Sequence, residues 1–354
     1  MSTPAHRFVP PDVRVEINER ELPPEAVGVI VGVEITQKLN RANDFRFTVR
    51  DVPTEGRYRW IDSDLFGLGN DVRISLGYAG ELQEVVRGRM QGLSPEYTVD
   101  GLVFAVEGSD EAYELLMVES EAKVFRRKTD SDIVREVARA AGLRARVDPT
   151  EPIFAARTKP AGASDFRFIE SLASDNGYEL RLAGRELVFG RPTREAHADV
   201  TLEWEREILE FHASVNTRRT VTDVVVRGWD RTAKREIVGR AGAGDEWVQE
   251  QGRRPASVIT RELYGDVVKV MSRRPVASAE EASSVARAEL SLASDTFIRG
   301  EVRTVGNPWI RCGSCLELLG LGERFSGKYY VEAVTHRTGP AEYTTLVDVR
   351  RNSL

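Results

Sequence analysis

The chain has two cysteines in 354 residues, Cys312 and Cys315, four histidines and no long hydrophobic run. Each scarcity removes a class of protein. Two cysteines cannot staple a secreted disulfide framework, so stability has to come from packing. The longest apolar stretch, Ala26 to Val33, has the length of a strand and falls far short of a bilayer span. Met1 to Val13 carries charges and prolines where a secretory leader needs an apolar core, so synthesis is expected to end in the cytoplasm. A basic excess is also missing. The formal charge is −6 and the arginines are scattered among acids, which argues against nucleic-acid binding.

What remains has the balance of a soluble globular protein, 41% hydrophobic and 30% charged, with length enough for two or three cores. The first third alternates as strands do, at Val13, Val15 and Ile17, at Phe45, Phe47 and Val49, and at Val72, Ile74 and Leu76. Asp100-Gly101 separates two β-prone runs, Glu84 to Tyr97 and Leu102 to Val106, as a hairpin turn would. Residues 1–118 therefore read as a first antiparallel β-barrel. The period then changes. Thr129 and Asp130 can cap a helix through Ile133, Val134, Val137 and Ala138, and Ser164 and Asp165 can cap another through Phe168, Ile169 and Leu172, ending at Gly177. With the strands Tyr178 to Leu182 and Glu186 to Phe189, residues 119–198 form a small α/β domain.

Strand signals resume at Val221 to Val226, break over the polar, glycine-rich stretch Gly239 to Arg254, and return near the C-terminus in a hairpin with Gly339-Pro340 at its turn. Between them Ser278 and Glu281 make a capping box for a helix through Leu290. Residues 199–239 and 297–354 are assigned to a second β-barrel, and 240–296 to an insertion with a long loop and a helix. No short period repeats, although two β-rich ends flanking a mixed middle leave room for a structural duplication.

Chemical motifs are sparse. Gly322 to Lys328, GERFSGK, has the spacing of a phosphate loop but continues into Tyr329 and a strand pattern, so a glycine-bounded turn is the better reading. Cys312-Gly313-Ser314-Cys315 has redox or half-zinc spacing without a second pair or a following helix, and reads as a tight turn. His6, His197, His212 and His336 stand at unrelated positions without a nucleophile elbow. The tryptophans Trp60, Trp204, Trp229, Trp247 and Trp309 fit cores or interfaces better than a glycan platform. No catalytic, cofactor-binding or metal-ligating residue is assigned.

Several segments in order carry a resemblance: "VRVEINEREL" at Val13 to Leu22, "NDVRISLGYAG" at Asn70 to Gly80, "VVRGRMQGLSPEY" at Val85 to Tyr97, "RKTDSDIVREVARAAGL" at Arg127 to Leu143 and "SDFRFIESLASDNGYELRL" at Ser164 to Leu182. "VVVRGWDRTAKREIVG" at Val224 to Gly239, "FSGKYYVEAVTHR" and "YTTLVDVRR" complete it. Together they resemble the phage late control gene D family and the hub portion of VgrG-type spikes. The resemblance implies two barrels similar to the tail-tube subunit, smaller α/β parts, and a homotrimer whose six barrels form a pseudo-sixfold adaptor between a hexameric inner tube and a central spike.

VgrG-type spikes continue into an OB-like domain and a β-helical needle, whereas the sequence stops at Leu354, so the spike is expected to be a separate protein. The expected function is thus a structural baseplate hub of a phage tail or contractile injection system, without catalysis, cofactor or membrane span, within the particle alongside other baseplate proteins. A tail-associated peptidoglycan hydrolase is the alternative. Gly228, Trp229 and Asp230 are expected to shape a turn of the second barrel, with Trp229 in its core, and Gly327 and Tyr330 to fix its last hairpin.

Overall fold

The computed structural model describes residues 10–354 apart from 100, 120, 152, 193–197, 231–232, 248–251, 273–275, 277 and 340–341. Strand accounts for 50% of the chain and helix for 20%, and most strands pair antiparallel, so the mainly β class with smaller mixed parts is the observed one.

The first unit runs β1 (Pro11–Ile17), β2 (Arg20–Glu21), α1 (Pro24–Val27), β3 (Ile30–Lys38), β4 (Asp44–Asp51), β5 (Asp71–Tyr78), β6 (Glu81–Thr98) and β7 (Gly101–Asp110). The alternating apolar residues turn inward from opposite sides of the curled sheet into one core, where Val15, Ile35, Phe47, Ile74 and Phe104 are almost fully buried. Burying each such side chain contributes on the order of 1.5–3 kcal/mol. That common core makes the curled sheet a barrel. Of its expected hairpin turn, Asp100 lies outside the described residues, while Gly101 opens β7.

The middle unit follows as α2 (Glu111–Leu116), β8 (Lys123–Lys128), α3 (Asp130–Ala140), β9 (Arg144–Val147), β10 (Phe154–Lys159), α4 (Asp165–Asn176), β11 (Glu179–Ala183) and β12 (Glu186–Gly190). Both longer helices start at side-chain caps, Thr129 accepting from the Asp132 N–H and Ser164 from the Arg167 N–H. Their apolar stripes meet β11 and β12 in a separate core containing Ile133, Ile169, Leu180 and Phe189.

The second barrel uses β13 (Val200–Glu203) and β14 (Ile208–Val215). It then yields to β15 (Asp223–Asp230), β16 (Arg235–Gly242), α5 (Ala256–Tyr264), β17 (Val268–Met271) and α6 (Ala279–Ser294). It resumes with β18 (Ile298–Val305), β19 (Cys315–Leu319), α7 (Gly322–Phe325), β20 (Gly327–Thr338) and β21 (Tyr343–Arg351). Of the Gly339-Pro340 turn, Pro340 lies outside the described residues.

Here the structure corrects the sequence boundary of 199–239. β15 and β16 pair with each other and with β17 in their own three-stranded sheet, not with the barrel. Val224, Val226 and Ile237 bury against Ala282, Val285 and Leu290 of α6. At Gly239 an added Cβ would lie 2.1 Å from the backbone of Ala282, so only glycine admits this strand–helix approach. Strand alternation reports that a face is buried without reporting what buries it.

Candidate assembly interface

The two barrels follow one strand order. The first has the strand order β3-β4-β7-β6-β5-β1 and the second β14-β18-β21-β20-β19-β13, so β3 corresponds to β14, β4 to β18, β6 to β20 and β7 to β21. Irregularities coincide as well. β6 bulges at Gln91 against β7, and β20 bulges at Glu332 against β21. β3 bulges at Val31, and β14 at Leu209. Bulges are defined features of a sheet, so two coincident pairs fix the correspondence residue by residue.

The correspondence also appears on the surface. A depression of about 400 Å³ over the first barrel is lined by Glu34, Thr36, Arg46 and Glu107 among others. A depression of about 450 Å³ over the second is lined by the matching His212, Ser214, Glu301 and Asp348. Both are shallow, and they lie on the sheet face turned away from the cores.

One antiparallel seam joins the barrels into a continuous sheet. β20 pairs with β3 from Ala333↔Lys38 to Thr338↔Val33. On the polar face Thr36 and Thr335 bring their hydroxyls to 3.3 Å, and Arg337 Nε donates to Glu34 Oε2 at 2.8 Å. On the core face His336 is fully buried, its Nδ1 lying 2.9 Å from Tyr343 Oη and 3.2 Å from Thr345 Oγ1. Burial pushes this imidazole down to about 3, so it stays neutral and structural at physiological pH. Tyr78 of the first barrel stacks on Tyr343 of the second at 5.8 Å and donates to the Gly306 carbonyl at 3.1 Å. A Cβ at Gly306 would overlap the Tyr343 ring at 2.1 Å.

A buried ionic node ties three parts together. Arg350 of β21 pairs with Glu179 of β11, with Glu332 of β20 at 2.9 Å and with Asp295, at the end of α6, at 3.4 Å. Tyr330 Oη donates to Glu179 Oε2 at 2.6 Å, and the guanidinium lies 4.9 Å from the Tyr330 ring centre. Burial disfavours the charge on Arg350, but Asp295, Glu179 and Glu332 more than offset it and hold the guanidinium above its usual range. This is the chemistry of a fixed joint. Among the described residues, no group of three or more His, Cys, Asp or Glu gathers as a metal site.

The family described as the Alg8 N-terminal domain matches residues 11–339, most of the chain. The chain belongs to that family. No curated protein matches the sequence. Among solved structures, this Alg8 N-terminal domain chain is similar to the 43 kDa tail protein of prophage MuSo2 from Shewanella oneidensis, with a TM-score of 0.72 and 15% identity over 97% of this chain and 98% of that one. It is similar to the tail protein from Neisseria meningitidis MC58, with a TM-score of 0.71 and 11% identity over 97% of each. It is also similar to the E. coli c3393 protein, described as a type VI secretion component similar to T4 bacteriophage tail proteins gp27 and gp5. There the TM-score is 0.59 at 12% identity over 95% of this chain and 76% of that one. What is shared at such identities is the fold.

Several sequence expectations for this family member fall elsewhere in the structure. Gly228, Trp229 and Asp230 are strand residues of β15, outside the barrel sheet; Asp230 ends the strand, where its Oδ1 accepts the Ala233 N–H at 2.9 Å, and Trp229 is 60% exposed. It lies on the sheet face opposite α6, so it is not a core residue. Gly327 opens β20 and Tyr330 is buried in it, forming part of the ionic node. Gly322 to Lys328 forms α7 and runs directly into β20, without a helix to face a phosphate.

Cys315 is buried, and Cys312 Sγ donates to the Glu332 carbonyl at 3.0 Å. Burial, with Glu179 nearby, pushes the Cys312 thiol far up, so it is a poor nucleophile. His212 lies exposed on β14, while His6 and His197 lie outside the described residues. The seam and the node were missed because their members are ordinary strand residues far apart in sequence. The faint signal was "GKYYVEAVTHR", where the strand alternation slips near Glu332.

Proposed function

We propose that this chain is a structural hub subunit of a phage tail or contractile injection particle, three copies forming a pseudo-sixfold adaptor between a hexameric inner tube and a central spike. The observation that carries the reading is the duplicated barrel, matched at two pairs of bulges, in a fold shared with tail proteins. A threefold spike and a sixfold tube differ in symmetry. A subunit with two similar barrels reconciles them, since three chains then offer six comparable surfaces.

The continuous sheet across the barrel seam suits a load-bearing part. Backbone hydrogen bonds run from one barrel to the next, and the Arg350 node fixes the middle unit against them. The role is mechanical: the ring seats the tube on one face, holds the spike on the other and passes contraction force between them. Among the described residues no helix is long and apolar enough to cross a membrane. Light scattering with negative-stain imaging of the purified chain tests the reading. A mass three times the 39.5 kDa of one chain, with ring-shaped views, is expected. Lysis of peptidoglycan in a zymogram would overturn a purely structural role.

A further inference from the structure

The seam within the chain has a counterpart to which no described strand is paired. β20 changes neighbours at its bulge, pairing with β19 up to Tyr330 and with β3 from Ala333 onward. Its equivalent β6 pairs with β5 only as far as Arg89, and beyond Gln91 no described strand lies along that edge. β14, the equivalent of β3, pairs with β18 and ends the sheet. Each chain therefore carries both halves of a second seam, on different barrels and unjoined.

We propose that β14 of one chain adds to the distal half of β6 of a second copy, repeating between chains the β3–β20 seam that each chain makes within itself. This rests on the ring reading and names the surfaces that close the ring. Within the chain, Thr335 faces Thr36, Arg337 faces Glu34 and Thr338 faces Val33. Carried across the coincident bulges, that register sets Ser94 opposite Ser214, Glu96 opposite His212 and Tyr97 opposite Phe211.

The two outward-facing pairs keep the character of the old ones, and the core-side pair Thr338 and Val33 becomes aromatic. Two hydroxyls replace two hydroxyls. An acid facing an imidazole replaces a guanidinium facing an acid, with the acid now on the strand equivalent to β20. Two aromatic rings occupy the core side, where Tyr97 is 60% exposed and Phe211 packs only partly against its own barrel. A slip of one residue would turn every one of these side chains to the wrong face. Pro95 takes the place of His336 in this register. The contact is head to tail, since it uses different surfaces of the two partners, and such contacts close into rings when the rotation permits.

A cysteine pair tests the register. Ser94→Cys and Ser214→Cys are combined in one chain, its mass is measured by light scattering, and the same sample is oxidised and run on a non-reducing gel. At a three-chain mass, covalently joined chains are expected to dominate. Ser94→Cys combined with Val215→Cys, one residue out of register, should link at least about tenfold less, because its side chains point to opposite faces. The single variants control for Cys312 and Cys315. A three-chain mass without the 94–214 link overturns this inference and leaves the ring reading standing. A single-chain mass at every concentration overturns both, because edges so matched would then not hold each other.

Discussion

In the first barrel, residues 39–43 carry the chain from β3 to β4 and dock on the middle unit, where the Asn40 N–H donates to the Leu180 carbonyl and Asn43 Nδ2 to that of Leu182. In the second barrel the matching connection is the whole of residues 216–297, with its own sheet and two helices. The closing strands differ too. β1 runs antiparallel to β5, whereas β13 runs parallel to β19. The bulges that set how each barrel meets a neighbour are the same in both. The comparison separates two jobs: connections and end strands adapt each barrel to its place, while β3/β14 and β6/β20 keep the geometry of lateral contact.

The matching positions Arg350 and Ser109 break the comparison most sharply. Both are buried, but Arg350 faces three carboxylates from three elements, whereas the Ser109 hydroxyl donates to Gln91 Oε1 at 3.2 Å. Arg350→Met leaves Glu179, Glu332 and Asp295 together without their cation and should cost about 3–5 kcal/mol. Ser109→Ala should cost about 0.5–1.5 kcal/mol. Urea midpoints at unchanged m-value give both numbers. Similar losses at the two sites would mean that the node is not what locks the middle unit to the second barrel.

His336 and Pro95 form the next pair, and only one of them titrates. The unfolded chain binds a proton on His336 below its ordinary value of 6.5, while the buried imidazole resists until about 3. Between those values the unfolded state holds more protons, so this contribution to stability falls as pH falls. Near pH 5 the loss is about 2 kcal/mol. Asp110 acts oppositely: burial pushes its carboxyl up to about 7, so its contribution falls as pH rises from 3.8. Comparing the wild type with His336→Gln across pH cancels Asp110 and isolates the imidazole. Parallel stability curves would show that position 336 is no more pH-sensitive than its proline counterpart.

Much of the local structure was legible from the residues. Caps at Thr129, Ser164 and Ser278 start the helices they were expected to start, and the left-handed Gly177 ends α4. The alternation at Val13 to Ile17, Phe45 to Val49 and Val72 to Leu76 marks real strands. The duplication was hidden because matching positions share no chemistry: Phe45 corresponds to Gly300, Arg46 to Glu301 and His336 to Pro95. What they share is backbone course, and a bulge leaves only a one-residue slip in the alternation. Trp229 misled for a related reason. A large aromatic in a strand pattern fits a core, and only the pairing with β16 and β17 places it on an open face.

The smallest expected effect concerns Arg337 and Glu34, whose side chains are 58% and 44% exposed. Exposed pairs contribute little because water screens them and both side chains lose freedom. A double-mutant cycle of Arg337→Ala and Glu34→Ala should give a coupling of about 0.5 kcal/mol or less. That value bears on the proposed contact between chains, where Glu96 and His212 stand in for this pair. If the covalently connected seam draws so little from its charges, register there is set by the bulges and by which face each side chain must take. The same devices are present on both free edges. A coupling well above 1 kcal/mol would instead make the charge pair a determinant of register, and Glu96→Ala should then disrupt assembly as strongly as a substitution on the core side of the same edge.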